Sequence, residues 1–280
     1  MIRLHRVRKA TAIPASFRGA NLAKKAGVLI DLYYAAQAAG RGIAFDSSAW
    51  KPAKTALKRE SGGKCAYCEA STETVAHGDV EHFRPKSIYW WLAFCYDNYL
   101  FACQLCNQTF KGDNFPISAA PIPAPFMPPT KPVGVALDTL VRALTLDAEA
   151  LTDADLVSLW SSEAAHLANP YFEDPAPLFR YEVDSANEEI WLRSTGGAHA
   201  DRAVEASKAY LGLNRETLRR DRFAAYSELL VFKAVIAEAA LSVATRRMVE
   251  NHIVKMQAQR RPFSGMIRWF VADWGLPGPA

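Results

Sequence analysis

Nowhere does the chain hold the roughly 20 consecutive apolar residues that a membrane span requires. The basic opening MIRLHRVRK is not followed by the apolar core of a secretory leader, so the cytoplasm is the expected location. Large net charge is missing as well: 33 Lys and Arg against 29 Asp and Glu leave +4. That total permits a polyanionic partner without demanding one, and the placement of the charges matters more than their sum. Cysteine is scarce at five, an odd number, and four of the five fall in two CxxC pairs. This is not the pattern of a secreted disulfide framework. The fifth, Cys95, sits among aromatics in WWLAFCYDNYLF and is expected to be a buried, unreactive thiol. No internal repeat is present.

What the chain does have is bulk. With 280 residues and half of its side chains hydrophobic, it can bury a sizeable core as one large or two modest domains. Residues 21–39 predict a helix capped by Asn21 and ended by Gly40, and a second helix is expected from Ser48 to about Lys58. Residues 61–116 change texture to cysteines, aromatics and short β-like runs, as in a small metal-stapled module. In 117–134, the prolines of PISAAPIPAPFMPPTKP forbid helix and central strand alike, leaving an extended linker or a wrapping arm. Residues 135–280 predict mainly helix, with a β-hairpin near 178–194 and one long or two abutting helices after Asn214. Residues 1–60 form an N-terminal helical segment in this division.

Cys65, Cys68, Cys103 and Cys106 supply two knuckles of two thiolates each, the ligand set of a tetrahedral zinc ion. The stretch between the knuckles, Glu69 to Ala102, is longer than the roughly 15 to 20 residues of common four-cysteine ribbons, so something is inserted between the halves of the site. With four sulfurs closing the coordination, such a zinc is structural and has no place for a substrate. A redox use of the CxxC pairs is the competing reading.

Within the insertion lies DVEHFRPKS, and beyond it DNYLFACQLCNQTFKGD, which sets Asn98 before the second knuckle and Asn107 directly after it. The order His82, Asn98, Asn107, bracketed by cysteines, resembles the HNH (ββα-metal) endonuclease family. More narrowly, CAYCE, VEHFRPKS, DNYLFACQLCNQTFKGDNFP, LANPYFEDPAPLFRY and YLGLNRETLRRDR together look like the HNH nuclease subunit of Septu-type and retron-linked anti-phage systems. The resemblance runs from Cys65 through Arg222, interrupted from the proline-rich segment to about Ser162. It implies an α+β fold: a small zinc-stapled ββα-metal HNH module with a mainly α-helical remainder.

Phosphodiester hydrolysis needs a nucleophilic water and a cation that offsets charge building on the phosphate. His82 is the candidate general base, because an imidazole near its ordinary pKa accepts a proton at neutral pH. Glu81 and Asn107 offer hard oxygen ligands suited to Mg²⁺ or Mn²⁺, and the resemblance assigns them to the family's metal positions. It assigns Asn98 to the central asparagine that holds the His-bearing loop. Arg84, Lys86 and Lys111 are candidate phosphate contacts, with a solvated charge as the alternative for Lys86. Asp79 and Asp113 are acidic neighbours that could reach the metal, with a turn or cap role the preferred reading, and His77 is a competing ligand that matches no family position.

RETLRRDR places Arg215, Arg219 and Arg222 on one helix face, either a surface for nucleic acid or a partner, or an ordinary solvated face. PFSGMIRWFVADW reads as a core helix. The expected function is a metal-dependent endonuclease acting on DNA or RNA in anti-phage defence. The resemblance implies an ATPase partner of the same system and an assembly with a retron. A non-catalytic, zinc-stapled nucleic-acid-binding or adaptor protein is the alternative from another class, and a thiol redox protein is a weaker third.

Overall fold

The computed structural model describes residues 1–72 and 77–278. The chain opens with an extended segment in which Ile2, Leu4 and Arg6 are buried while His5 and Val7 face solvent, a period of two without a strand partner in a sheet. Helix α1 (Gly19–Ala38) buries Leu22, Ala26, Leu29 and Ile30, spaced as one helical face. It begins two residues before the expected cap. The Gly19 amide is held by the Asp147 carboxylate at 2.6 Å, and Asn21 instead donates to the Ala15 carbonyl at 3.2 Å. Gly40, at φ +58°, ends the helix as expected.

The expected helix from Ser48 is split into short turns at Ser47–Ala49 and Lys51–Ala53, followed by α2 (Lys54–Glu60). Pro52 explains the break, since it removes an amide donor and disfavours helical geometry at Lys51.

Strands β1 (Asp79–His82) and β2 (Tyr99–Ala102) pair antiparallel with Glu81 opposite Leu100 and His82 opposite Tyr99. A π-helical segment, Leu105–Lys111, follows β2 directly, in place of a regular helix. Its C-terminal bond from the Gly112 amide to the Asn107 carbonyl spans five residues at 2.8 Å, the spacing of a π-turn.

Residues 117–134 wrap as an arm. Ile117 bridges Ala165, the Ile122 amide donates to the buried Glu163 carboxylate at 3.1 Å, and Tyr34 of α1 donates to the Pro128 carbonyl at 2.8 Å. Helices α3 (Gly134–Leu144) and α4 (Asp153–Trp160) come next, the first packing on α1 and the second starting from a Thr152–Asp155 capping box.

The expected hairpin is present as β3 (Phe179–Asp184) and β4 (Glu189–Ser194), with Phe179 opposite Ser194 and Asp184 opposite Glu189. Four helices complete the chain: α5 (Ala198–Leu211), α6 (Glu216–Ile236), α7 (Val243–Met256) and α8 (Ser264–Asp273). The stretch after Asn214 therefore forms two helices, the second capped by Ser242, whose hydroxyl accepts from the Thr245 amide at 3.1 Å. Asn214 itself does not cap α6. Its side chain grips both backbone groups of Leu192 in β4, at 2.8 and 3.0 Å.

The architecture is α+β, with two small antiparallel sheets amid helices. No helix among the described residues is long and apolar enough to cross a membrane. One core joins Leu4, Tyr67 and Leu100 to Ile190, Leu229 and Phe270, so both hairpins share it with the C-terminal helices. Phe263, Met266, Ile267, Phe270 and Val271 all lie in that core, as α8's spacing predicts.

Candidate active site

The four cysteines of the two knuckles converge. Their sulfurs all lie within 4.8 Å of one another, and Cys68 and Cys103 are 3.9 Å apart. A tetrahedron of sulfurs around zinc at about 2.3 Å has edges of about 3.8 Å, so the cluster fits a single zinc ion. The helical region closes over it: the Cys106 sulfur is 3.4 Å from the Leu211 carbonyl, and the Arg215 guanidinium is 3.7 Å from the same sulfur. Four thiolates on a Zn²⁺ held there would leave about two net negative charges, one of which the Arg215 guanidinium would offset. Gly212, at φ +59°, makes this approach possible, because a Cβ there would stand 2.5 Å from the Phe110 ring of the π-helix.

That placement corrects the reading of RETLRRDR. Arg215 faces the sulfurs, Arg219 pairs with Glu189 at 2.8 Å and lies over the Trp191 ring at 3.9 Å, and Arg222 is buried. All three are turned to the interior rather than to a solvent or partner surface, because β4 and the knuckles pack beneath this side of α6.

Beside the cluster, a cavity of about 450 Å³ opens between the first hairpin and the N-terminal segment. Glu81, His82 and Asn107 all line it, joined by Asp79 and Asp113. The alternation of β1 sends Asp79 and Glu81 to one face and Val80 and His82 to the other. At the end of the strand the cavity reaches both. Asn107 donates to Asp79 at 3.2 Å, and Gln108 donates to the same oxygen at 2.9 Å, which fixes the start of the π-helix against the strand.

His82 is nearly enclosed, its ring edge-on to Trp50 and Tyr99 at centroid distances of 4.8 and 4.9 Å. Its Nε2 lies 3.0 Å from the Ala93 carbonyl oxygen. A carbonyl only accepts, so Nε2 carries the hydrogen and Nδ1 keeps its lone pair. Burial, aided by the Lys86 charge, pulls the imidazole down to about 3, so the ring is neutral at physiological pH.

Glu81 is buried against Lys111, whose ammonium sits 2.6 Å from Oε1, and Tyr67 donates to the same oxygen at 3.4 Å. Burial raises the carboxyl's pKa, and Lys111 opposes the rise. These bonds leave Glu81 Oε2 and Asn107 Oδ1 outside them. Asp79 and Asp113 line the same cavity, so it carries oxygen-bearing side chains of the hard type.

Asn98 lies behind the cavity, fully buried. Its Oδ1 accepts from the Arg84 amide at 2.8 Å and its Nδ2 donates to the Arg84 carbonyl at 3.0 Å, so it clamps the loop leaving His82.

Two of the three basic residues expected to touch phosphate are engaged elsewhere. Arg84 points away from the cavity, buried and paired with Glu163 at 2.6 Å. Lys111 is fully buried and donates to the His82 carbonyl at 3.0 Å in addition to its pairing with Glu81. A charge that far from water is held by its partners and does not reach a ligand in the cavity. Lys86 alone lines the cavity, its ammonium 5.4 Å from the Trp50 ring centre.

Trp50, Lys51 and Lys54 complete the lining from the N-terminal segment. Sequence reasoning misses them. The interleaving of aromatic and basic residues in SAWKPAK is the available signal, and the apparent helical character of that stretch conceals it. Cys95 is buried as expected, its thiol pushed up to about 12 by burial and the nearby Asp97.

Set beside known proteins, a stretch of 77 residues is 38% identical to the Septu protein PtuB of Bacillus mycoides (strain KBAB4). The match covers 23% of this chain and 26% of the relative, so the chain spans about a quarter of that protein's length. No family model matches the chain, and no solved structure matches it.

Proposed function

We propose that the chain is a metal-dependent HNH endonuclease, hydrolysing phosphodiester bonds of DNA or RNA as the effector of a Septu-type anti-phage system. The observation that carries this reading is the single cavity in which Glu81, His82 and Asn107 meet, with Asn98 clamping the loop behind it and the four-cysteine cluster beside it. An antiparallel pair of strands followed by a helical segment carries these residues, which supports the reading as a ββα-metal module. The segmental similarity to a Septu protein supports the defence role, and a partner ATPase of the same system, in or out of a retron complex, belongs to this proposal.

In this reading Glu81 and Asn107, with Asp79 or Asp113, hold the catalytic Mg²⁺ or Mn²⁺, while Cys65, Cys68, Cys103 and Cys106 hold the structural zinc. When bound, the divalent cation supplies charge neutralisation at the phosphate and a more acidic water. The second effect matters because His82, held near 3, is a weak base towards ordinary water. His82 takes the proton on Nδ1 and is kept in register by Nε2 on the Ala93 carbonyl. Lys111 holds the Glu81 carboxylate and the His82 backbone together, which positions both residues without touching substrate.

A pure binding or adaptor module has no need of a buried imidazole that shares one cavity with Glu81 and Asn107. The test is a cleavage assay with Mg²⁺ or Mn²⁺ on DNA and RNA, with and without the proposed ATPase partner, comparing wild type and His82→Ala. Cleavage abolished by the substitution supports the reading, and equal cleavage by both proteins overturns the base assignment.

A further inference from the structure

Several cationic side chains of the N-terminal part and the first hairpin are held in ion pairs, whereas others that line cavities are not. Arg6 is locked to Glu60 at 2.6 Å, Arg8 to Asp97 and Asp153, Arg84 to Glu163 and Lys111 to Glu81. Arg41, Lys51, Lys54 and Lys86 make no ion pair among the described residues, and all four line cavities. Lys51, Lys54 and Lys86 border the candidate active site. Arg41 and Lys86 border a second cavity, of about 280 Å³, between the end of α1 and the turn that follows Pro85.

The two cavities are neighbours. Lys86 lines both, and the wall between them is completed by Phe45 from the second cavity against Trp50 from the first, with ring centres 6.3 Å apart. Charge is polarised along the pair. Every acid lies in the first cavity, at Asp79, Glu81 and Asp113, whereas the second holds none. The second is aromatic instead, lined by Tyr33, Phe45 and Trp90, with Tyr33 and Trp90 stacked at 4.7 Å.

We infer that these cavities form one trough for a single nucleic-acid strand, which enters the active site past Lys86 and Arg41 with its phosphates on the unpaired cations and a base against the aromatic floor. This rests on the phosphodiesterase reading of the first cavity. Unpaired cations along a path with interleaved aromatic side chains are how proteins hold single strands without reading sequence. A cavity of about 280 Å³ has the size of a small-molecule site and admits a nucleotide unit, not a duplex. The N-terminal segment thereby supplies the half of the substrate groove that the hairpin lacks, in place of Arg84 and Lys111.

The test measures binding apart from cleavage. In the 280-residue chain carrying His82→Ala, fluorescence anisotropy with a fluorescein-labelled oligodeoxythymidine, and with a labelled duplex, is compared with the same chain also carrying Arg41→Glu or Lys51→Glu. Both positions are exposed, so the fold tolerates the change, and matching thermal melts check it. Each reversal is expected to weaken single-strand binding roughly five-fold or more, and to flatten the slope of log K against log salt by about 0.7 for each phosphate that is no longer neutralised. The single strand is expected to bind more tightly than the duplex. Unchanged affinity in both variants, or tighter binding of the duplex, overturns the inference. Loss of binding in the variants without cleavage by the wild-type chain, alone or with the proposed ATPase partner, would leave the trough standing and remove the nuclease reading; cleavage with unchanged variant affinity would do the reverse.

Discussion

Lys111 and Arg84 show how far residue type and spacing reach. Arg84 stands two residues after His82 and Lys111 four after Asn107, and a cation near a candidate site residue invites a phosphate contact. Whether the cation faces a ligand or a carboxylate of its own chain depends on Glu163, 79 residues from Arg84, and on the register that lays Glu81 beside Lys111. Neither is visible in a local motif. Asn98 is legible because its task is local: it bonds to backbone groups of Arg84 on the adjoining loop. Replacing Asn98 with Ala leaves the Arg84 amide and carbonyl without their partner in a dry interior, and is expected to cost about 2–4 kcal/mol. Urea denaturation reads that loss. A change under about half a kcal/mol would show that the clamp is not needed to hold the loop.

At the scale of elements, periodicity locates most helices, the second hairpin and the arm, since each rests on spacing or on proline's missing donor. It misplaces where elements begin. Gly19 and Glu216 start helices that Asn21 and Asn214 would cap by local rule, because Asp147 and Leu192, distant in sequence, bond to the groups involved. The basic face of α6 misleads for the same reason: nothing in RETLRRDR shows that β4 and the cysteine sulfurs pack beneath it. The knuckles themselves are fully legible, as CxxC spacing is a complete local statement of ligand geometry. Elemental analysis is expected to find one zinc per chain, and stripping it with a strong chelator should lower the melting temperature and loosen α5 and α6 as well as the hairpin, because Leu211 and Arg215 lean on Cys106. Hydrogen exchange that changes only at the knuckles would contradict that coupling.

Over the whole molecule, segments separate in sequence are tied through buried charge. Arg6 bonds to Glu60, Asp97 and the Tyr99 carbonyl, joining the opening segment to α2 and the first hairpin. Arg84 and the arm meet at Glu163, which binds the Arg84 guanidinium and the Ile122 amide together. Such long-range pairs leave no trace in periodicity. Glu163→Ala strands a buried guanidinium and frees the arm, and is expected to destabilise the fold by about 3–5 kcal/mol in chemical denaturation, with the arm becoming the first site of proteolysis. Unchanged stability would mean that the arm is held by its apolar contacts alone.

The central claim is that the cavity at the end of β1 cuts phosphodiester bonds with His82 as base. Its most direct measurement is Mn²⁺- or Mg²⁺-dependent cleavage of a labelled strand by the zinc-loaded chain, with and without the proposed ATPase partner, wild type against His82→Ala at matched zinc content. The account predicts a rate lower by about 10²- to 10⁴-fold in the variant, the range that a positioned general base contributes. Cleavage at the wild-type rate by His82→Ala would contradict it.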